Sequence, residues 1–192
     1  MNAFISAGIY LVGLVFDLYI IILLLRLLMQ RLGASYYNPI SQTIIKLTNV
    51  FVVPLRRILP GYHGFDFAIV FLLLVIALIE TLLLIWLRTR IVPHFAGTLI
   101  IAIIALSEKT INLYFYAIII RAFMSWVPSL QHNPVAEIVF LVTEPLLRSA
   151  RRIVPMIAGL DFSPILVLVV LQLISILVIG PLMNMGMRLA LM

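Results

Sequence analysis

Four charged residues stand inside apolar sequence and are the first candidates for chemistry: Asp17, Glu80, Glu108 and Lys109. A charge within a membrane-spanning helix costs about 2.5–3.5 kcal/mol on insertion scales, so such a residue faces a partner or a cavity. Three acids and one lysine at membrane depth could line a cation path. The same residues could instead pair, Glu–Lys or Asp–Lys, and hold helices together. Glu108-Lys109 would lie near the outer interface if a helix began at Ser107. The second group is basic: Arg56-Arg57 and Arg151-Arg152, with Arg148 beside the latter pair. Planar guanidiniums suit bidentate contact with lipid phosphate or an acidic partner. Arginines at a membrane boundary also set orientation whatever else they do. Catalysis has little to draw on. His63, His94 and His132 fall in three separate connections, and there is no cysteine, zinc spacing, phosphate loop or nucleophile elbow. No enzyme activity, cofactor or metal is expected.

The elements that must position these residues follow from composition. Of 192 residues, 65% are hydrophobic and only 10% charged, with a mean hydropathy of +1.25. A soluble domain carries about 25% charged residues, so that class is excluded. Stretches of about 4–30, 66–87, 96–126 and 162–183 each approach or exceed the roughly 20 apolar residues that a bilayer core requires. Their runs are continuous rather than alternating, which points to helices and not a β-barrel. The segment 95–126 reads as one long tilted helix, about 48 Å at 1.5 Å per residue, with a start at Ser107 as the alternative. The formal charge of +6 points to anionic headgroups rather than to nucleic acid. No cleavable signal peptide is expected, since the first twenty residues lack Lys and Arg.

The chain repeats itself. A shift of 95 positions places Arg26 on Arg121, Met29 on Met124, Asn38-Pro39 on Asn133-Pro134 and Thr48 on Thr143. It also places Arg56-Arg57-Ile58 on Arg151-Arg152-Ile153, Pro60 on Pro155, Gly64 on Gly159 and Asp66-Phe67 on Asp161-Phe162. These are 12 identities in the 42 positions from Arg26 to Phe67. Most are Arg, Pro, Asn, Gly or Asp, which apolar bias does not produce. The chain divides into repeats 1–90 and 91–192, each a span, a connector and a second span. The shift also sets Asp17 on Asn112, so a polar group recurs at one depth of each unit.

Each connector opens with Asn-Pro, an N-cap followed by a first-turn proline. In the first, Ile40, Ile44, Leu47 and Phe51 share one helical face and Gln42, Lys46 and Asn49 another, as in a helix lying in the membrane interface. Pro54 to Pro60 and Pro145 to Pro155 read as short proline-bounded turns or helices. In the second, Leu147, Ala150 and Val154 oppose Arg148, Arg151 and Arg152. Asp66 and Asp161 each read as a cap of the following helix or a partner of the nearby arginines. Arg26 and Arg121 read as snorkelling anchors. The connectors and adjoining helix ends carry nine basic residues and the opposite side three, Arg88, Arg90 and Arg188. That places both connectors in the cytoplasm and both termini outside. Two spans per unit make the repeats parallel, and Trp86 and Trp126 close spans at opposite interfaces.

Arg-x-x-Met, Asn-Pro, Pro-Leu-Arg-Arg-Ile-Leu-Pro and Gly-x-Asp-Phe, in two related copies over nearly the whole chain, resemble the YggT family, called YlmG in plants. Similar members place two prolines, four residues apart, before the paired arginines. Here the first copy keeps Pro54 with Val50 at the other position, and the second keeps Pro145 with Ser149. The resemblance implies a bacterial inner-membrane protein that organises membrane complexes, as in division, nucleoid placement or cytochrome assembly. In some bacteria it implies osmotic or potassium tolerance; the alternative reading, linked to that tolerance, is a small oligomeric channel or transporter using Asp17, Glu80, Glu108 and Lys109. The partners implied are anionic lipid, proteins of a membrane complex, or further copies of the chain.

Overall fold

The computed structural model describes residues 3–61, 65–130, 133–154 and 161–191. It is an all-α membrane protein built from two parallel tandem repeats. The first contains α1 (Ala3–Leu32), α2 (Pro39–Arg56) and α3 (Phe67–Thr89). The second contains α4 (Phe95–Trp126), a 3₁₀ turn at Pro128–Leu130, α5 (Pro134–Arg151), and a last span divided into α6 (Ser163–Ile174) and α7 (Gly180–Leu191). A π-helical turn at Ser175–Ile179 joins α6 to α7. The four helices long and apolar enough to cross a membrane cover 30, 23, 32 and 29 residues.

Helix ends follow local chemistry. Asn38 Oδ1 accepts from the Ile40 and Ser41 amides, and Asn133 Oδ1 from Val135, with Pro39 and Pro134 in the first turns. Asp66 Oδ1 accepts from Ala68 and Ile69 at the start of α3. Gly33, with φ at 73°, turns the chain after α1, and the Ala34 amide closes onto the Met29 carbonyl. Arg90 takes the same left-handed role after α3, its guanidinium lying over Trp86.

The core has several parts. Ile20, Leu23 and Leu24 of α1 meet Ile69, Leu73 and Ala77 of α3 and Val52 of α2. Ile118 of α4, Leu147 and Ala150 of α5, and Val167 and Leu171 of α6 make the counterpart in the second repeat. Met29, Ile44, Ile138 and Val142 join α1 and the two connectors. At the opposite end α7 closes against α4. A Cβ on Gly97 would fall 2.4 Å from the Ala190 nitrogen, so only glycine permits that approach, and the His94 amide donates to the Ala190 carbonyl.

Two local expectations change, and a third is decided in favour of the single long helix. Pro54 and Pro145 lie inside helices, not at the start of separate turns. Each proline removes one backbone donor, and packing carries the helix past it: Leu147 and Ala150, beyond Pro145, are core residues. The packed face of α2 is Ser41, Ile44, Thr48 and Val52, whereas Leu47 and Phe51 are more than half exposed. Against lipid, large apolar residues can remain outward, and the helix contact mixes Ile44 and Val52 with the small polar Ser41 and Thr48. Finally, 95–126 is continuous, so Ser107 does not start a helix; its hydroxyl donates to the Ile103 carbonyl one turn back.

Candidate functional site

Both connectors are fastened to their bundles by the same residues. Arg26 leaves α1 and donates to the Ile45 carbonyl, Thr48 Oγ1 and Asn49 Oδ1 of α2. Arg121 leaves α4 and donates to the Phe140 carbonyl at 3.3 Å, Thr143 Oγ1 at 2.9 Å and Glu144 Oε2 at 2.7 Å. Arg26 is only 4% exposed, which corrects its reading as a snorkelling anchor. It satisfies connector groups instead of reaching for water, and that answers the cost of a guanidinium in apolar surroundings.

A second clamp closes the far end of each connector. Arg56 Nε donates to Asp66 Oδ2 at 2.8 Å, and Arg151 Nε to Asp161 Oδ2 at 2.9 Å. Asp66 thus caps and pairs at once, whereas Asp161 pairs from one residue ahead of the α6 N-cap Phe162 and accepts from the Ser163 amide. Arg151 donates further to Glu144 Oε1, so Glu144 stands between two guanidiniums. Burial alone would raise Glu144, but Arg121 and Arg151 outweigh it and hold the carboxyl below its ordinary value. Burial likewise opposes Asp161, and the bonds from Ser163 and Arg151 keep it depressed. The hydrogen bond to Asp161 holds Arg151 above its ordinary value. The connectors also meet: Asn38 Nδ2 donates to the Pro134 carbonyl and to Glu137 Oε2, both at 2.8 Å.

With Arg56 and Arg151 engaged, the outward charge of the connectors falls to others. Arg57 and Arg152 are exposed and make no ion pair among the described residues. Arg148 is 72% exposed, with Glu144 3.9 Å away. Pro60 is exposed after the first clamp, and Pro155 and Gly159 lie outside the described residues.

The membrane charges are divided. Lys109 of α4 donates to Asp17 of α1, and to Glu80 Oε1 and Oε2 of α3 at 2.7 and 2.8 Å. One lysine of the second repeat therefore joins two acids of the first. Glu108 is half-buried and outside this group, with no ion pair among the described residues, and Asn112 is exposed. Asn112, the counterpart of Asp17 in the repeat, takes no part in this group. A cleft of about 260 Å³ between α3, α4 and α7 reaches Glu80 and Lys109 from the side of Arg88. Among the described residues no three His, Asp or Glu side chains gather as metal ligands.

Sequence reasoning missed the partners of Arg26 and Arg121. The signal was present in the paired identities, since Thr48 and Thr143 recur in step with the two arginines.

The sequence model of the CCB3/YggT family matches residues 5–87 and again 100–182. An uncharacterised protein of Pseudomonas aeruginosa is 39% identical over 176 residues, covering 91% of this chain and 89% of that protein. An uncharacterised Vibrio alginolyticus protein from the proC 3′ region is 35% identical, with 90% and 95% covered. The Escherichia coli K12 protein YggT, also uncharacterised, is 34% identical over 168 residues, 86% of each chain. No solved structure matches.

Proposed function

The chain belongs to the CCB3/YggT family, and from that premise we propose that it is a scaffold or assembly factor of the bacterial inner membrane rather than an enzyme. In this reading the connectors face the cytoplasm, where nine of the basic residues sit, and both termini lie outside. The supporting observation is the division of labour among the arginines. Arg26, Arg121, Arg56 and Arg151 brace the connectors, and Arg57, Arg148 and Arg152 stand outward on elements so held. A rigid basic surface at headgroup depth suits anionic lipid or an acidic protein of a membrane complex.

The test is a crosslinking pull-down from native membranes with Arg57, Arg148 and Arg152 replaced by Gln. Each lost charge weakens surface attraction by about 1 kcal/mol, so three reduce occupancy by about a hundredfold. The variant inserts normally and loses co-purifying anionic lipid or partner. Unchanged retention would leave these arginines as topology signals and remove the basis of the scaffold reading.

Transport is the second reading, favoured by the cleft that reaches Glu80 and Lys109. Four spans make a narrow bundle, so a pore would be built from several copies. Cation flux into liposomes that vanished on Glu80→Gln would establish transport and displace the scaffold.

A further inference from the structure

The two arginine clamps differ in charge balance. In the second repeat, the guanidiniums of Arg121 and Arg151 face the carboxylates of Glu144 and Asp161. In the first, Arg26 and Arg56 face Asp66 alone, because Asn49 occupies the position that corresponds to Glu144. Among the described residues Arg26 has no ion pair, although it is almost wholly buried. Only three of its five N–H donors are engaged there, leaving Nε and one Nη2 hydrogen.

A cleft of about 130 Å³ opens beside this arginine, lined by Arg26, Arg56, Gln30 and Ser41 among others. The Ser41 hydroxyl is buried and has no partner among the described residues. The corresponding residue of the second repeat is Ala136, which needs none. Gln30 accepts from Arg56 through Oε1, which frees its amide nitrogen to donate. The polar side chains around the cleft can therefore supply donors from two guanidiniums, a hydroxyl and an amide, with one positive charge unbalanced. A buried donor without an acceptor and a buried cation without a counter-charge are both costly, and one oxyanion answers both.

We propose that this cleft of the first repeat is a binding site for a phosphate-type oxyanion, either the headgroup phosphate of a phospholipid or free inorganic phosphate. Arg26 supplies the uncompensated charge, Arg56 and Gln30 the second wall, and Ser41 the buried donor. The second repeat carries its own anion in Glu144 and needs no ligand. This site is separate from the exposed surface of Arg57, Arg148 and Arg152 and stands whether or not the scaffold reading holds.

The test uses the full chain in an uncharged detergent free of phospholipid. Inorganic phosphate is titrated in one arm and phosphatidylglycerol in the other, reading the thermal unfolding midpoint, which rises when a ligand binds the folded state. The wild-type midpoint rises saturably with at least one probe. A response to phosphate assigns a free oxyanion, and a response to phosphatidylglycerol alone assigns a headgroup. Asn49→Glu gives Arg26 an internal carboxylate and weakens the response about tenfold or more. If Asn49→Glu does not fold, Ser41→Ala serves in its place and weakens the response several-fold. No response in the wild type, or an undiminished one in the folded variant, overturns the site.

Discussion

The two connector clamps are built from four pairs of identical residues, and two differences beside them set their charge. Arg26 and Arg121, Thr48 and Thr143, Arg56 and Arg151, and Asp66 and Asp161 perform the same mechanical work in each copy. Asn49 against Glu144, and Ser41 against Ala136, then decide whether the clamp is electrically complete. Within the clamps recurrence marks the brace, and the divergence beside it marks where one copy is free to take a ligand.

The two repeats depend on each other most at Lys109. Lys109→Met leaves Asp17 and Glu80 facing each other without a cation. Asp17 is partly exposed but Glu80 is buried, and stranding a buried carboxylate costs about 3–5 kcal/mol, so the detergent unfolding midpoint falls sharply. A change under about 1 kcal/mol would mean that the group does not join the repeats. Next in size is the difference between Arg121→Met and Arg26→Met. The first removes a charge-assisted bond to Glu144 and costs about 2–3 kcal/mol, whereas the second strands no carboxylate and costs about 1 kcal/mol. Equal losses would deny that the clamps differ in charge balance.

A smaller contrast separates Asp66→Asn from Asp161→Asn, since asparagine keeps the oxygen that accepts from the helix amides and removes only the ion pair. The Asp66 side chain is 2% exposed and that of Asp161 29%. The first substitution costs about 2 kcal/mol and the second under about 1 kcal/mol, and a reversed order in chemical denaturation would count against the first clamp as the buried one. The smallest effect is one of pH. The folded-state values of Glu144 and Asp161 are depressed, so their contribution is full above the ordinary carboxylate value near 4 and is lost as pH falls through the lower folded one. Glu144→Gln should therefore flatten the decline of the unfolding midpoint on acidification from pH ~5 to pH ~3. Parallel curves for variant and wild type would exclude Glu144 as the source.

Spans, repeats and caps were legible because each rests on local chemistry: apolar length, an offset of identities, an acid or amide before a helix. Partners across helices were not. Nothing in the spacing of Arg26 distinguishes a residue that snorkels from one that turns inward to Thr48, because that depends on where α2 crosses α1. The packed face of α2 is only partly legible, for a related reason. Of the large apolar residues grouped on one face, Leu47 and Phe51 are exposed, while Ile44 joins Ser41, Thr48 and Val52 in the helix contact. Pro54 and Pro145 showed the limit of proline as a stop signal when tertiary packing continues beyond it. Of the membrane charges, Asp17, Glu80 and Lys109 converge, whereas Glu108, adjacent to Lys109 in sequence, points along another side of α4.

The uncompensated charge of the first clamp is tested most directly by the stability of Asn49→Glu in phosphate-free, uncharged detergent. Supplying Arg26 with the partner that Arg121 already has turns its bond to Asn49 into an ion pair, a gain of about 1–2 kcal/mol. For a chain of this size that raises the unfolding midpoint by several degrees. A lower midpoint in the variant would show that Arg26 is already balanced, and the asymmetry between the two connectors would fall with it.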